Sequence, residues 1–187
     1  MTEPYRNLLL GCGTSREKLL GLNGSLSWQG ELVTLDRNPN VQPDILFDLN
    51  NEEWIGDYGA KKLRPHSFDE IHAYEVLEHL GAQGFVDSFF RDFFQIWRLL
   101  KPGGHLFATT PSKYSAWLWG DPGHRRAILS ESLIFLDRVV WRKANAGSGP
   151  AADYRQYFDG DFHVVETHDD HIRHRFCLRA VNPVRPW

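Results

Sequence analysis

The sequence predicts an α/β fold in which a doubly wound, mostly parallel sheet carries an antiparallel pair of strands near the C-terminus. Apolar runs of strand length alternate with helical patterns along most of the chain, as crossover connections between parallel strands require. The first run ends in a glycine turn, and the last two runs flank a polar tip. With 187 residues, 42% of them hydrophobic, the chain has the size of a single domain.

The first four predicted strands are short and apolar enough for the interior of a sheet. They cover residues 7–10, 31–36, 44–49 and 68–74. The first strand ends at Gly11, and residues 14–17 offer a capping box for a helix that continues to about Leu22. The chain therefore enters a glycine turn and then a helix.

The clearest helical pattern covers residues 85–100, where apolar side chains recur at helical spacing. Lys-Pro-Gly-Gly at 101–104 ends this helix, and a fifth strand follows at 105–109. An aromatic segment at 114–124 is expected to form a loop or lid.

The last part of the chain is predicted to contain one helix and two strands. Ser130 offers a cap for a helix that runs to about residue 143, and residues 144–150 form a Gly/Ser/Pro connection. Residues 162–167 and 175–181 then pair antiparallel about the polar tip at 168–174.

Charge and cysteine content exclude several classes of protein. The formal net charge is −3 and there is no long basic run, so a nucleic-acid partner is not expected. Cys12 and Cys177 are too few for a disulfide framework or a four-thiolate zinc site, and they suit the reducing cytoplasm. No apolar stretch reaches about 18 residues and the first residues lack a signal-peptide pattern, so we expect neither a membrane span nor secretion.

Leu-Leu-Leu-Gly-Cys-Gly-Thr at 8–14 places a Gly-x-Gly turn at the carboxyl end of the first strand. Such a turn exposes backbone to a ligand in the crevice beyond the strand ends. A dinucleotide-binding turn would carry Gly or Ala at position 16, where the helix receives a pyrophosphate, but Arg16 stands there. The turn therefore favours a nucleoside ligand without phosphates.

Carboxylates lie at the ends of the second and third predicted strands. Asp36 closes the second strand about 25 residues after Gly11, where a carboxylate can accept hydrogen bonds from both hydroxyls of a ribose. Asp48 and Leu49 end the third strand and offer a polar group and an apolar surface to an adenine ring. Either aspartate could instead simply begin a turn. In combination with the glycine turn, ribose binding is the preferred interpretation of Asp36.

Four motifs carry a resemblance to a known family. They are Gly-Cys-Gly at 11–13, Asp36, Ser-Phe-Asp-Glu-Ile-His-Ala-Tyr-Glu-Val-Leu-Glu-His-Leu at 67–80, and Arg-Leu-Leu-Lys-Pro-Gly-Gly at 98–104. In order and spacing, residues 7–112 resemble the class I S-adenosylmethionine-dependent methyltransferases, in particular a small branch with a Gly-Cys-Gly turn and a Leu-Glu-His-Leu segment. The resemblance implies a Rossmann-like methyltransferase fold, methyl transfer as the activity and S-adenosylmethionine as the cofactor.

The resemblance also implies a cofactor site. The glycine turn would back the methionine portion, Asp36 would hold the ribose, and Asp48 with Leu49 would flank the adenine. Glu75 occupies a family position that faces the cofactor's amino group or the reaction centre, with Tyr74 beside it. The implied cofactor-binding residues are Leu10, Gly11, Cys12, Gly13, Asp36, Arg37, Asp48, Leu49, Tyr74 and Glu75.

Candidate catalytic residues are Glu75, His79 and His124, because an imidazole or carboxylate near the transferred methyl can accept a proton from a hydroxyl or ammonium acceptor. Asp-Pro-Gly-His-Arg at 121–125 resembles a loop found after the fifth strand in some family members. The alternatives are that Glu78 and His79 serve helix capping and packing, and that His124 lies in a plain surface turn. Methyl transfer from a sulfonium can also proceed largely by positioning, without a general base.

The sequence departs from the family at Leu9, where members usually carry an acidic residue. An anchor for the cofactor's ammonium group is therefore missing or supplied elsewhere. No metal site is predicted, since the spacing of histidines and aspartates at 168–174 fits no standard ligand set. Trp117 and Trp119 are the aromatic pair expected to stack against a planar or sugar-like acceptor.

The predicted organisation is a single domain with a cofactor-binding core at 7–112, a substrate loop and helix at 113–160, and C-terminal strands at 161–187. A small-molecule or sugar-like acceptor is favoured, and a homodimer or a partner subunit could complete the site. A noncatalytic binding or activating subunit of the same fold is the first alternative function. Another nucleotide-dependent Rossmann enzyme, such as a dehydrogenase, is the second, although Arg16 argues against it.

Overall fold

Runs of Leu, Val, Ile and Phe form the central strands, because strands covered on both faces need apolar side chains along their length. The computed structural model describes residues 4–146 and 152–187. Its strands are β1 (Arg6–Leu10), β2 (Glu31–Asp36), β3 (Ile45–Leu46), β4 (Gly56–Tyr58), β5 (Lys61–Leu63), β6 (Phe68–Tyr74), β7 (Leu100–Pro111), β8 (Phe162–Asp169) and β9 (Arg173–Ala180).

Seven of these strands form one sheet in the order β3-β2-β1-β6-β7-β9-β8, while β4 and β5 form a separate antiparallel hairpin. β1 pairs in parallel with β2 and β6, and β6 pairs in parallel with β7. β9 is antiparallel to both β7 and β8. The predicted fold class, a mostly parallel sheet with an antiparallel C-terminal pair, is confirmed.

The main helix packs against one face of this sheet. The helices are α1 (Val86–Leu99), α2 (Trp117–Gly120), α3 (Ser130–Leu133) and α4 (Arg138–Ala146), with 3₁₀ turns at Leu22–Gly24, Pro39–Val41, Leu77–His79 and Ile134–Leu136. α1 begins and ends within one residue of its predicted bounds. Its Phe93 and Ile96 belong to one buried cluster with Leu8, Leu10 and Ile71 of the strands. Burial of each such side chain contributes about 2 kcal/mol to folding.

A polar network occupies the opposite face. The Lys18 ammonium lies 2.6 Å from a Glu70 carboxylate oxygen, and both side chains are almost fully buried. His72 Nε2 donates to the same oxygen at 2.9 Å, and Tyr5 donates to the other at 3.0 Å. The Tyr74 hydroxyl, 2.6 Å from His72 Nδ1, extends the network along β6.

This network explains why the helix predicted from residue 14 to Leu22 is wrong. The Tyr74 hydroxyl accepts the N–H groups of Leu19 and Leu20, each at 3.2 Å, so these donors are not available to a helical ladder. Lys18 is drawn towards Glu70, and Ser15 accepts the N–H of Glu17 in a local turn. Tertiary hydrogen bonds here override a weak helical preference.

The helix predicted over 130–143 is also divided, into α3, a 3₁₀ turn and α4. Asp137 has an extended backbone, and its carboxylate accepts the N–H groups of Val139 and Val140 at 3.0 and 3.2 Å. Asp137 therefore ends the first helical segment and begins the next, as an N-cap residue does.

Other differences from the predicted elements are smaller. The third strand, predicted over 44–49, is reduced to two residues. At its start the Asp44 side chain bonds the N–H and hydroxyl of Thr34, and at its end the Asp48 carboxylate accepts the Asn50 N–H in a turn. The fifth strand is longer than predicted, and the predicted aromatic loop contains α2. Most of the connection predicted at 144–150 lies outside the described residues. None of the described helices has the length and apolar character that crossing a membrane requires.

We expect Glu70→Gln to lower the free energy of unfolding at pH 7 by about 3 kcal/mol, because Lys18 would be buried without a counter-charge. Burial alone would raise the pKa of Glu70, but hydrogen bonds from His72 and Lys18 outweigh it and lower the pKa to about 2. Ionised Glu70 therefore stabilises the fold fully above its ordinary pKa of 4.5, and this contribution is lost as the pH falls towards 2. Urea unfolding at pH 7 and about pH 3 measures both effects.

The difference in unfolding free energy between wild type and Glu70→Gln should be smaller at about pH 3 than at pH 7. Glu166→Gln, which changes an exposed carboxylate on β8, is the matched control and should alter stability by less than about 0.5 kcal/mol. An equal difference between wild type and Glu70→Gln at both pH values would contradict this account.

Candidate functional site

A cavity of about 220 Å³ opens at the carboxyl ends of β1, β2, β3 and β6. The parallel register places Leu10 between Leu35 and Ala73, so the segments after these strands meet at one edge of the sheet. The lining residues are Gly11, Leu35, Asp36, Arg37, Phe47, Asp48, Leu49, Asn50, Glu75, Val76, His79 and Leu80. Ligands of doubly wound sheets bind in this position.

The turn after β1 brings its backbone close to the cavity. Gly11 and Gly13 both have left-handed φ angles, of +55° and +50°. A Cβ atom on Gly11 would lie 2.5 Å from Val76 Cγ2, whereas a Cβ on Gly13 would meet nothing within 4 Å. Gly11 is therefore required by both backbone conformation and space, and Gly13 by conformation alone.

Asp36 connects the glycine turn to the end of β2. Its Oδ2 accepts the Gly13 N–H at 2.9 Å, and its Oδ1 accepts the Asn38 N–H at 2.8 Å. A carboxylate has about four lone-pair positions, so two remain for hydroxyl donors in the cavity. Arg37 follows on the exposed rim of the cavity.

The segment after β3 forms a wall with an apolar and a polar part. Phe47 and buried Leu49 provide the apolar surface. Asp48 accepts the backbone N–H and the side-chain amide of Asn50 at 2.9 and 3.0 Å. The Asn50 N–H holds the pKa of the Asp48 carboxyl below its ordinary value, so the cavity presents a carboxylate here.

Glu75 follows β6 in a left-handed conformation, with φ at +53°, which is uncommon for a residue other than glycine. Its N–H donates to Thr109 O at 2.9 Å, which prolongs the pairing with β7. Its Oε1 lies 3.4 Å from the Arg173 guanidinium at the start of β9. A strained backbone thus directs a carboxylate into the cavity.

Beside Glu75, the 3₁₀ turn at Leu77–His79, which follows β6, contacts the loop after β7. The N–H groups of Arg125 and Arg126 both donate to Glu78 O, at 2.8 and 3.2 Å, and so hold the two segments together. The rings of His79 and His124 consequently lie edge to face with centroids 4.7 Å apart. The Glu78 side chain is fully buried beneath them. Burial raises the pKa of Glu78 to about 8, and the neighbouring Glu75 charge adds to this effect.

No family model and no curated protein sequence matches the chain. Solved structures do match. A methyltransferase dependent on S-adenosylmethionine from Archaeoglobus fulgidus has a TM-score of 0.54 and 13% identity, over 94% of this chain and 86% of the other. The N-methyltransferase NodS from Bradyrhizobium japonicum, in complex with S-adenosylhomocysteine, has a TM-score of 0.54 and 16% identity, over 95% and 78%.

A third similar structure is a Burkholderia thailandensis 1,6-didemethyltoxoflavin N1-methyltransferase, with bound 1,6-didemethyltoxoflavin and S-adenosylhomocysteine. Its TM-score is 0.53 and its identity 13%, over 96% of this chain and 72% of the other. This chain has the class I methyltransferase fold. At such low identity the likeness is one of fold, and the roles of individual residues rest on the geometry of the site.

Within the methyltransferase fold, the cavity brings together seven of the residues singled out from the sequence. They are Gly11, Asp36, Arg37, Asp48, Leu49, Glu75 and His79. The side chain of His124 contacts His79 from outside the lining. Leu35, Phe47, Asn50, Val76 and Leu80 also line the cavity and were not predicted. Their position directly beside predicted residues was the available signal.

Four predicted cofactor residues lie elsewhere in the methyltransferase fold. Leu10 and Cys12 are buried and do not line the cavity, and the Gly13 N–H donates to the carboxylate of Asp36, which does. The Tyr74 hydroxyl lies on the opposite face of the sheet, in the network with His72. Strand alternation causes this, because consecutive residues such as Tyr74 and Ala73 face opposite sides.

The aromatic pair and the histidine-rich tip also lie outside the cavity lining. Trp117 and Trp119 are 68% and 59% exposed, so both rings are available to a ligand or partner. At the tip, the Asp170 carboxylate accepts the N–H groups of Ile172 and Arg173. His174 is buried and bonds Ile128 O at 3.0 Å.

We expect Gly11→Ala to destabilise the methyltransferase fold more than Gly13→Ala does. Both changes impose a left-handed φ on alanine, at a cost of about 1 kcal/mol. Gly11→Ala also forces a methyl group into Val76 and should cost about 2 kcal/mol more. Denaturant unfolding of both variants and of the double variant Gly11→Ala/Val76→Ala measures the difference. Equal losses for the two single variants would show that Val76 does not limit this turn.

Proposed function

We propose that the chain is an S-adenosylmethionine-dependent methyltransferase and that the cofactor binds in the cavity at the strand ends. One observation supports this most directly: in a methyltransferase fold, a glycine turn and the carboxylates of Asp36, Asp48 and Glu75 converge on a single cavity. Two similar structures contain S-adenosylhomocysteine, the product of the same cofactor. Residues 14–21 form no helix whose N-terminus could receive a pyrophosphate, which favours a nucleoside over a dinucleotide.

In this proposal, each part of the cofactor contacts the residues at the end of a different strand. The Gly11 to Gly13 backbone contacts the methionine portion, and the free lone pairs of Asp36 accept the ribose hydroxyls. Phe47 and Leu49 pack against the adenine, with Asp48 at its edge. Glu75 receives the cofactor's ammonium group.

The role given to Glu75 also accounts for Leu9. In the register of the sheet, Leu9 pairs with His72, so its side chain lies on the face of the polar network and not in the cavity. An anchor for the ammonium group has to come from a carboxylate that lines the cavity, and Glu75 is placed there by its left-handed backbone.

When bound, the cofactor supplies a methyl group activated on a sulfonium. The protein then has to hold the acceptor in line with that methyl group and to exclude competing water. His79 and His124 are proposed to border the acceptor. Each bonds a backbone carbonyl through Nδ1, at 3.0 and 3.2 Å, which leaves Nε2 able to take a proton from the acceptor.

A small-molecule or sugar-like acceptor fits these features best. The negative net charge disfavours nucleic acid, and the B. thailandensis methyltransferase was crystallised with 1,6-didemethyltoxoflavin bound. The acceptor would enter beside exposed Trp117 and Trp119, which offer stacking surfaces. Free, buried Cys12 and Cys177 are consistent with a cytoplasmic enzyme. The proposal includes a homodimer or a partner subunit that completes the site.

Isothermal titration calorimetry tests the cofactor assignment. S-adenosylmethionine and S-adenosylhomocysteine should bind at micromolar affinity and NAD should not bind. Asp36→Ala should weaken binding of both sulfur nucleosides by about tenfold or more, because each ribose hydroxyl loses a charged acceptor. Asp57→Ala, at an exposed position on β4, is the control and should bind like wild type.

Circular dichroism establishes that the Asp36→Ala chain is folded before it is titrated. Unchanged affinity in that folded variant would refute the placement of the ribose. Absence of binding to wild type would refute the proposed cofactor and would favour a noncatalytic role for the fold.

A further inference from the structure

Glu78, His79 and His124 form a compact group of potential metal ligands at the edge of the cavity. One ligand atom from each residue lies within 4.8 Å of the others. We propose that this group binds a divalent transition-metal ion such as Zn²⁺. The sequence analysis predicted no metal site and considered only the spacing at 168–174, because Glu78 and His79 are distant in sequence from His124. The proposal does not depend on methyl transfer.

Both imidazoles are held in the orientation that a metal ion requires. His79 Nδ1 lies 3.0 Å from Gly123 O, and His124 Nδ1 lies 3.2 Å from Leu118 O. A carbonyl oxygen only accepts hydrogen bonds, so Nδ1 carries the proton in both rings. The Nε2 lone pairs are therefore free. Metal-ligating histidines are fixed in this way, with the second ring nitrogen bonded to a carbonyl or carboxylate.

Glu78 provides an independent observation. Its side chain has no exposed surface, yet neither carboxylate oxygen has a hydrogen-bond partner within the described part of the chain. An unpartnered buried carboxylate costs several kcal/mol unless a cation or donor compensates it. Arg126, the nearby cation, makes no hydrogen bond to Glu78: its Nε donates to Leu77 O and its Nη1 lies 3.0 Å from Asp92, while its Nη2 has no partner in the described part of the chain. A metal ion would satisfy Glu78.

The spacing suits an ion after a small movement. His124 Nε2 lies 3.9 Å from Glu78 Oε1 and 3.9 Å from Asp121 Oδ2, so Asp121 is a candidate fourth ligand. Ligands at about 2.0–2.1 Å from a tetrahedral ion lie about 3.3 Å apart. The Glu78–His124 separation would therefore shorten by about half an ångström, and the widest separation in the group, at most 4.8 Å, by up to about 1.5 Å. Two imidazoles with carboxylates favour Zn²⁺ and similar ions over Mg²⁺ and Ca²⁺, which prefer oxygen ligands.

The ion would lie beside the cavity, since His79 belongs to both sites. The histidines at residues 168–174 are not an equivalent group. His174 is buried and bonded to Ile128 O, while the His171 ring packs 5.0 Å from Tyr114. An ion held by Glu78, His79 and His124 would occupy the Nε2 lone pairs of both imidazoles. In the metal-bound protein the two histidines would then not accept a proton from the acceptor.

Titration of the chelator-treated chain with Zn²⁺ and Co²⁺ tests the site. Calorimetry should show one ion per chain, and Co²⁺ should give visible absorption bands. An excess of Zn²⁺ of about 100 times Kd should raise Tm by roughly 5 °C or more. His79→Gln, His124→Gln and Glu78→Gln should each weaken binding by about tenfold or more.

Two controls separate this site from adventitious or purely structural effects. The double variant His168→Gln/His171→Gln should bind Zn²⁺ within twofold of wild type. Metal-free Glu78→Gln should have a Tm close to that of metal-free wild type, because it replaces an unpartnered buried carboxyl group with an amide of the same size. Absence of Zn²⁺ binding by wild type, or loss of binding only in His168→Gln/His171→Gln, would overturn the proposal. Cofactor titrations remain a separate readout, so failure of either assignment can be told from failure of the other.

Discussion

The position of β1 in the middle of the parallel strands is the constraint on which the site depends. β1 pairs with β2 on one side and with β6 on the other, in a register that aligns Leu10 with Leu35 and Ala73. The residues that follow these three strands consequently emerge at one edge. Asp36 is the last residue of β2, while Gly11 and Glu75 directly follow β1 and β6, and all three line one cavity although they are far apart in sequence. The positions at which the strands end therefore determine which side chains line the cavity.

The two faces of the sheet are stabilised by different physical means. On one face, Leu8, Leu10 and Ile71 pack against α1, and burial of apolar surface dominates. On the other, Glu70 collects hydrogen bonds and charge from Lys18, His72 and Tyr5. Such a network is stable only while every member has its partner. It also determines the path of residues 14–21, because the Tyr74 hydroxyl and Glu70 bind groups that a helix would have used.

The contrast between Glu70 and Glu78 shows how local partners decide the state of a buried carboxylate. Hydrogen bonds from His72 and Lys18 lower the pKa of Glu70 to about 2. Glu78 is equally buried but lacks such donors, and burial raises its pKa to about 8. The first is a satisfied structural group. The second lies beside two oriented imidazoles at the rim of the cavity, which is where a functional group is most often found in such a state.

The sequence by itself determined the fold class, the strands near Asp36 and Tyr74, the helix around Phe93 and the glycine turn, because hydrophobic periodicity and turn residues are local properties. It also marked the three carboxylates that line the cavity, Asp36, Asp48 and Glu75, since each lies at or near the end of a strand. Only the tertiary structure decided that Tyr74 faces away from the cavity, that residues 14–21 form no helix, and that His124 contacts His79. These outcomes depend on which face of the sheet a side chain lies on, on long-range hydrogen bonds, and on the contact between the 121–126 loop and Glu78. All three are determined by how separate segments pack together, which a local sequence pattern does not show.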